Sequence, residues 1–131
     1  MAEKYKMPEE WLKQALYDID SAMAMFKSRR YIYTIFLSHL AIEKILKAIY
    51  TNKFSKNPPR THDLVYITSE AGLELTENAR DYLEFINKLS VPTRYPDELS
   101  SMMKTFNRKA TLEFYQKTKE VFEWLRSTYL N

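Results

Sequence analysis

The sequence predicts an all-α fold, on three observations. A single glycine and five prolines stand among 131 residues, too few turn formers for a sheet built from hairpins. The stretch Tyr31 to Phe54 runs 24 residues without either, and its apolar residues recur at helical rather than alternating spacing. Comparable stripes precede it and close the chain. Such a length supports one core, so the expectation is one helical domain over residues 1–131, an up-and-down bundle of about five helices.

The first helix is expected over about 8–28. Pro8 suits a first helical turn, and Glu9 and Glu10 complement the positive end of the dipole. The stripe Trp11, Leu12, Ala15, Leu16, Ile19, Ala22, Met23, Phe26 follows at the right period. Only Ser28 to Arg30 separate it from the second helix, which forces a long antiparallel hairpin over 8–54. On the second helix Ile35, Ile42, Leu46 and Ile49 share a face with His39 in its middle, flanked by Leu37, Ala41 and Ile45. Glu43, Lys44 and Lys47 are expected to mark its solvated side. A helix apolar over so much of its girth needs several neighbours, so it reads as the central element.

Beyond Phe54, Pro58 and Pro59 end any helix, and Thr61 is the expected N-cap of a third. Leu64, Ile67, Thr68 and Ala71 would face inward, with Gly72 as the left-handed residue that stops it. Thr76 is placed to cap a fourth helix with the stripe Ala79, Tyr82, Leu83, Ile86, Leu89. Two prolines four apart, Pro92 and Pro96, then bias Val91 and Tyr95 toward extended backbone. Residues 91–104 are therefore expected to form a rigid extended loop holding Arg94. A last helix over about 107–129 presents Thr111, Phe114, Tyr115, Thr118, Val121, Phe122, Leu125 and Tyr129 on one side.

Several chemistries are excluded by residue type. No cysteine is present and only two histidines, so neither a disulfide framework nor a zinc-like ligand set is available, and no metal or cofactor is implied. Glycine-rich phosphate loops and HExxH are absent. Asp18 and Asp20 lie two apart and point to different sides of a helix, which leaves a two-carboxylate hydrolase unsupported. No apolar run suits a membrane span and the first residues lack a secretion-signal core, so a soluble, cytoplasmic protein is the expectation.

Net charge is +3, but it is distributed in blocks: residues 27–62 carry eight Lys/Arg against one acid, and residues 63–98 carry three against eight. Lys27, Arg29 and Arg30 precede the central helix while Lys53, Lys56 and Arg60 follow it. They are expected at opposite ends, as solvated charge rather than one patch.

Three places are candidates for chemistry. His39 is either a core histidine hydrogen-bonded to a neighbour or a group lining a cleft, positioned by Glu43 one turn on, with Lys47 a turn further. His62, beside Arg60 and Thr61 at a helix start, is either an exposed residue next to a cap or part of an anion site. Arg94, with Tyr95, either pairs with a carboxylate such as Asp18 or Asp97 to pin its loop, or offers a fixed guanidinium and a phenol to a phosphate and a base.

Four pieces in order resemble the HEPN domain family (named for higher eukaryotes and prokaryotes nucleotide-binding): Trp11 with Asp18, SHLAIEKILKA at 38–48, THDL at 61–64 and TRYPD at 93–97. The resemblance covers nearly the whole chain. It implies a bundle of about five helices that commonly forms a homodimer. Similar small proteins work with a minimal nucleotidyltransferase, in nucleotide-handling or toxin–antitoxin pairs. By position, His39, Glu43, Lys44, Lys47, His62, Arg94 and Tyr95 would inherit the family's polar motif roles.

Many members are metal-independent ribonucleases whose signature is an Arg followed by a His after four to six residues. That spacing is absent here: Arg29 and Arg30 stand too far before His39, Arg60 too close to His62, and no His follows Arg94. The leading expectation is thus a non-catalytic nucleotide- or phosphate-binding module using His39, Glu43, Lys47, His62, Arg94 and Tyr95. One alternative is a ribonuclease acting through Arg94 with His39 or His62. The other is a structural dimerisation protein.

Overall fold

A computed structural model describes residues 4–130, in which seven helices and no strand occur. The two longest early helices, α1 (Pro8–Lys27) and α2 (Tyr31–Phe54), pack antiparallel along their lengths as the short link required. Trp11 reaches the Lys47 level, Asp18 meets Lys44, and Phe26 meets Tyr31. The turn between them is a Schellman motif: the Arg29 amide donates to the Phe26 carbonyl at 3.0 Å and the Arg30 amide to Met25 at 2.8 Å. Arg29 adopts the left-handed conformation, φ 63°, that this motif demands.

The short helix α3 (Leu64–Glu70) and α4 (Glu77–Asn87) follow on one side of the hairpin. Thr76 caps α4, accepting from the Ala79 amide at 3.1 Å, and Gly72 ends α3 at φ 64°. The cap of α3 differs from the expectation: Asp63, not Thr61, accepts from the Tyr66 amide. Thr61 instead accepts from the Asp63 amide, and Asn87 of α4 holds both Leu64 and Asp63. A carboxylate two residues nearer the helix meets the free amide better, so the hydroxyl organises the turn before it.

The expected extended loop over 91–104 is a second correction. It contains α5 (Ser90–Arg94) and α6 (Leu99–Thr105), so the described chain has seven helices rather than about five. Pro92 is accommodated because it sits in the first turn of α5, where amides have no helical partner to lose. Only around Tyr95, at φ −133° and ψ 71°, does the backbone leave the helix before Pro96.

The last helix, α7 (Arg108–Tyr129), is capped by Asn107, whose side chain accepts from the Ala110 amide at 2.9 Å. It lays Phe114, Tyr115, Val121, Phe122 and Leu125 against α2 and α1. Ile35, Ile42, Ile45 and Leu46 of α2 are sealed within this core. The Tyr82 hydroxyl bonds Thr118 across α4 and α7, and burial pushes the phenol's pKa upward.

Candidate functional site

The solvated side expected for α2 is where the structure departs most from the sequence pattern. Glu43 is 4% exposed and Lys47 8%. Their side chains meet at 3.1 Å, and the His62 Nδ1 lies 2.7 Å from the other Glu43 oxygen. The loop after α2 folds back over the helix, so one carboxylate ties the 61–64 segment to the central helix. Because an ionised carboxylate only accepts, His62 Nδ1 is the donor in that pair.

Trp11 covers the outer side of this group. The Lys6 ammonium stands 4.1 Å from its ring centroid and the Lys47 ammonium 5.6 Å. One turn along the hairpin, Lys44 pairs with the buried Asp18 at 2.8 Å. Four motif residues from three stretches of chain, Trp11, Glu43, Lys47 and His62, thus form one connected network. It holds the hairpin, the α2–α3 loop and the start of α1 together.

His39 lies a turn before Glu43 on the same face and is 1% exposed. Neither ring nitrogen has a hydrogen-bond partner of good geometry, although the backbone of His62 approaches the ring. Burial lowers its pKa to about 4, with the charges of Arg94 and His62 pushing the same way against Glu43. At neutral pH it is an uncharged imidazole in the core, and no ligand reaches its ring nitrogens. Burial therefore removes the cleft-lining reading of His39 and leaves the core histidine, without a well-formed hydrogen bond to its ring.

Arg94 does not pair with Asp18, which Lys44 occupies, nor does it form an ion pair with Asp97. Its guanidinium lies instead over the Phe36 ring, 5.0 Å from the centroid. Tyr95 next to it is 76% exposed and stands outside the network. The anion site expected at Arg60 and the start of α3 is not built either. That helix end is already capped by a carboxylate, and His62 is turned to Glu43.

What the sequence pattern does not reveal lies on the other side of Arg94. A cavity of about 460 Å³ opens where the starts of α2 and α7 meet α5 and α6, and Arg29, Arg30, Arg94 and Arg108 all line it. No acidic side chain does. Arg108 is seated over Phe26, 5.2 Å from the ring centroid. The signal available in the sequence was the arginine pair in the hairpin turn; nothing local tied it to residues about 65 and 80 positions away. Among the described residues no group of His, Asp and Glu is arranged to hold a metal ion, and no helix is long and apolar enough to cross a membrane.

Fold and site together define an all-helical module with a long hairpin, a buried imidazole–carboxylate–ammonium row on its second helix, and a basic cavity at that helix's start. Residues 8–128 match the family model described as HEPN domain, and the chain belongs to that family. Two solved structures share the fold. The protein TT1696 from Thermus thermophilus is 18% identical, with a TM-score of 0.79 over 92% of this chain and 96% of its own. ST0689, an archaeal HEPN homologue, is 20% identical, with a TM-score of 0.77 over 95% of this chain and 99% of its own. A comparison with curated proteins finds no match.

Proposed function

We propose that the protein is a non-catalytic nucleotide- or phosphate-binding module that acts with a nucleotidyltransferase partner. The observation that carries this reading is Arg94. It is half-buried, stacked on Phe36, without a carboxylate among the described residues, and faces a cavity large enough for a small ligand. A guanidinium held flat by an aromatic ring loses little freedom on binding a phosphate, and its fork matches phosphate oxygens.

The roles of the remaining motif residues divide accordingly. Glu43, Lys47 and His39 are buried and belong to the fold's interior, His39 close enough to Arg94 to feel its charge, and Arg94 meets the ligand. Tyr95 stands exposed beside it, able to stack on a base. His62 reaches the surface with its ring oriented by Glu43. Family membership supports a homodimer and a minimal nucleotidyltransferase as partners, as in toxin–antitoxin or nucleotide-handling pairs. Val91 and Tyr95 form exposed apolar area beside the cavity that such a partner would cover.

Titration calorimetry with nucleoside mono-, di- and triphosphates tests the binding. The wild type binds in the micromolar to millimolar range, and Arg94→Ala weakens this about tenfold, the loss of one charge-assisted hydrogen-bonded group. Absence of heat with every nucleotide, together with no co-purification with a nucleotidyltransferase, removes the proposal.

A second reading draws on one observation, the 2.7 Å His62–Glu43 pair. An imidazole steered by a carboxylate is how a general base is commonly oriented, and Arg94 is near enough to His39 to affect its charge. In this version the protein is a metal-independent ribonuclease using His62 and Arg94, with His39 too deep to take part. RNA cleavage that persists in EDTA and disappears in His62→Ala would establish it in place of the first.

A further inference from the structure

The binding reading names Arg94; the cavity contains three more arginines that no motif accounts for. Resting on that reading, we infer that the cavity is a polyphosphate site: Arg29, Arg30 and Arg108 join Arg94 to take the phosphate chain of a nucleoside di- or triphosphate.

Charge is the first argument. Four guanidiniums line one concavity with no Asp or Glu in its wall, and none of the four forms an ion pair among the described residues. Bringing like charges together disfavours the fold unless something neutralises them. The three stretches that supply them, 29–30, 94 and 108, come from a hairpin turn, a short helix and the first residue of α7. Ordinary surface charge gives no reason for such convergence.

Helix orientation adds to it. The starts of α2, 24 residues long, and of α7, 22 residues long, both border the cavity. Neither has an acid in its first turn, and no side chain caps the start of α2. Both dipoles therefore add positive potential where the arginines already lie.

Arg29 adds its position to this. It occupies the left-handed position that ends α1, φ 63°, a conformation taken by Ser55 after α2, φ 53°, and by Gly72 after α3, φ 64°. Glycine is the residue that adopts this conformation without cost. The chain places its one glycine after α3 and keeps an arginine after α1, where the side chain borders the cavity.

The ligand class follows from matching. One phosphate group carries about −1.5 to −2 charges at neutral pH, which occupies about half of four guanidiniums, whereas a di- or triphosphate engages them all. Ile32, Leu99 and Met103 line the same cavity. They provide an apolar wall for a nucleoside beyond the charged end. A compact concavity suits one small molecule better than an RNA backbone, which would need a basic track.

Calorimetry at low salt with adenosine, AMP, ADP and ATP decides the matter, using the wild type, Arg108→Ala, Arg29→Gly and Arg94→Ala. Affinity is expected to rise with each phosphate. ATP binding should fall about tenfold in Arg108→Ala and in Arg29→Gly, the loss of one phosphate-bound guanidinium. Arg29→Gly should keep or raise the melting temperature, so its weakened binding is not misfolding. If ATP binds no better than AMP, or Arg94→Ala loses ATP while Arg29→Gly and Arg108→Ala keep it, the polyphosphate assignment falls and the binding reading stands. If the wild type binds no nucleotide but retains an RNA oligomer, both fall.

Discussion

Two regions of one helix use charge in opposite ways. Along the middle of α2, Glu43 receives both Lys47 and His62, and Lys44 finds Asp18. At its start, Arg29, Arg30, Arg94 and Arg108 face a cavity without a single carboxylate. Matched and buried charges act on the fold, because any change leaves a partner stranded in a poorly solvated place. Unmatched charges at an opening are available to something outside. The polar motif residues of this chain are thus mostly supports, and the unpaired cations lie in a separate group at the start of the same helix.

The contrast is broken most directly at Glu43. Glu43→Ala strands the buried Lys47 ammonium and releases His62, so we expect a loss of about 3–5 kcal/mol in chemical denaturation. Nucleotide affinity of the fraction still folded should be nearly unchanged. A loss of under about 1 kcal/mol, the size of an exposed ion pair, would mean that the network does not hold these segments together.

His39 gives the next effect. With a folded pKa near 4 against 6.5 when exposed, the unfolded chain binds a proton that the native chain refuses between those values. Stability thus falls as pH drops from about 6.5 toward 4 and this contribution then levels off, by roughly 3 kcal/mol in all. His39→Leu, which cannot titrate, should lose that slope while other acid-sensitive contributions remain. Melting temperature against pH for the two proteins compares them.

Arg94 should behave in the reverse sense to Glu43. Arg94→Ala is expected to cost about 1 kcal/mol or less of stability, the loss of its contact with Phe36, while reducing nucleotide affinity about tenfold. A large stability loss with unchanged affinity would place it with the supports. Smallest is Arg29→Gly, which should stabilise the fold by about 1 kcal/mol through relief of the left-handed conformation, measured as a shift in the denaturation midpoint.

The sequence is legible wherever periodicity and turn chemistry act locally. Pro8, Thr76 and Gly72 take the positions their chemistry suggests, and the bounds of α1, α2 and α7 depart from expectation by at most a residue or so. The prolines mislead at one point. The bias of Pro92 against a preceding helical residue is a preference, and in the first turn of α5 it is outweighed by continuity with the end of α4. Glu43 and Lys47 mislead for a different reason. Charge type marks the usual solvated face, but a loop returning from residues 60–63 covers that face and supplies His62 as partner.

By itself, then, the amino-acid order determined the helical class, the hairpin, most of the caps and the family pattern, since these depend on neighbours within a turn or two. Only tertiary packing decided that His39 is shut away from ligands, that the acid of α2 is a buried junction, and that arginines from three separate segments line one cavity. Charge pairing and solvent exposure depend on which distant segment lies across the gap, and no local spacing encodes that distance.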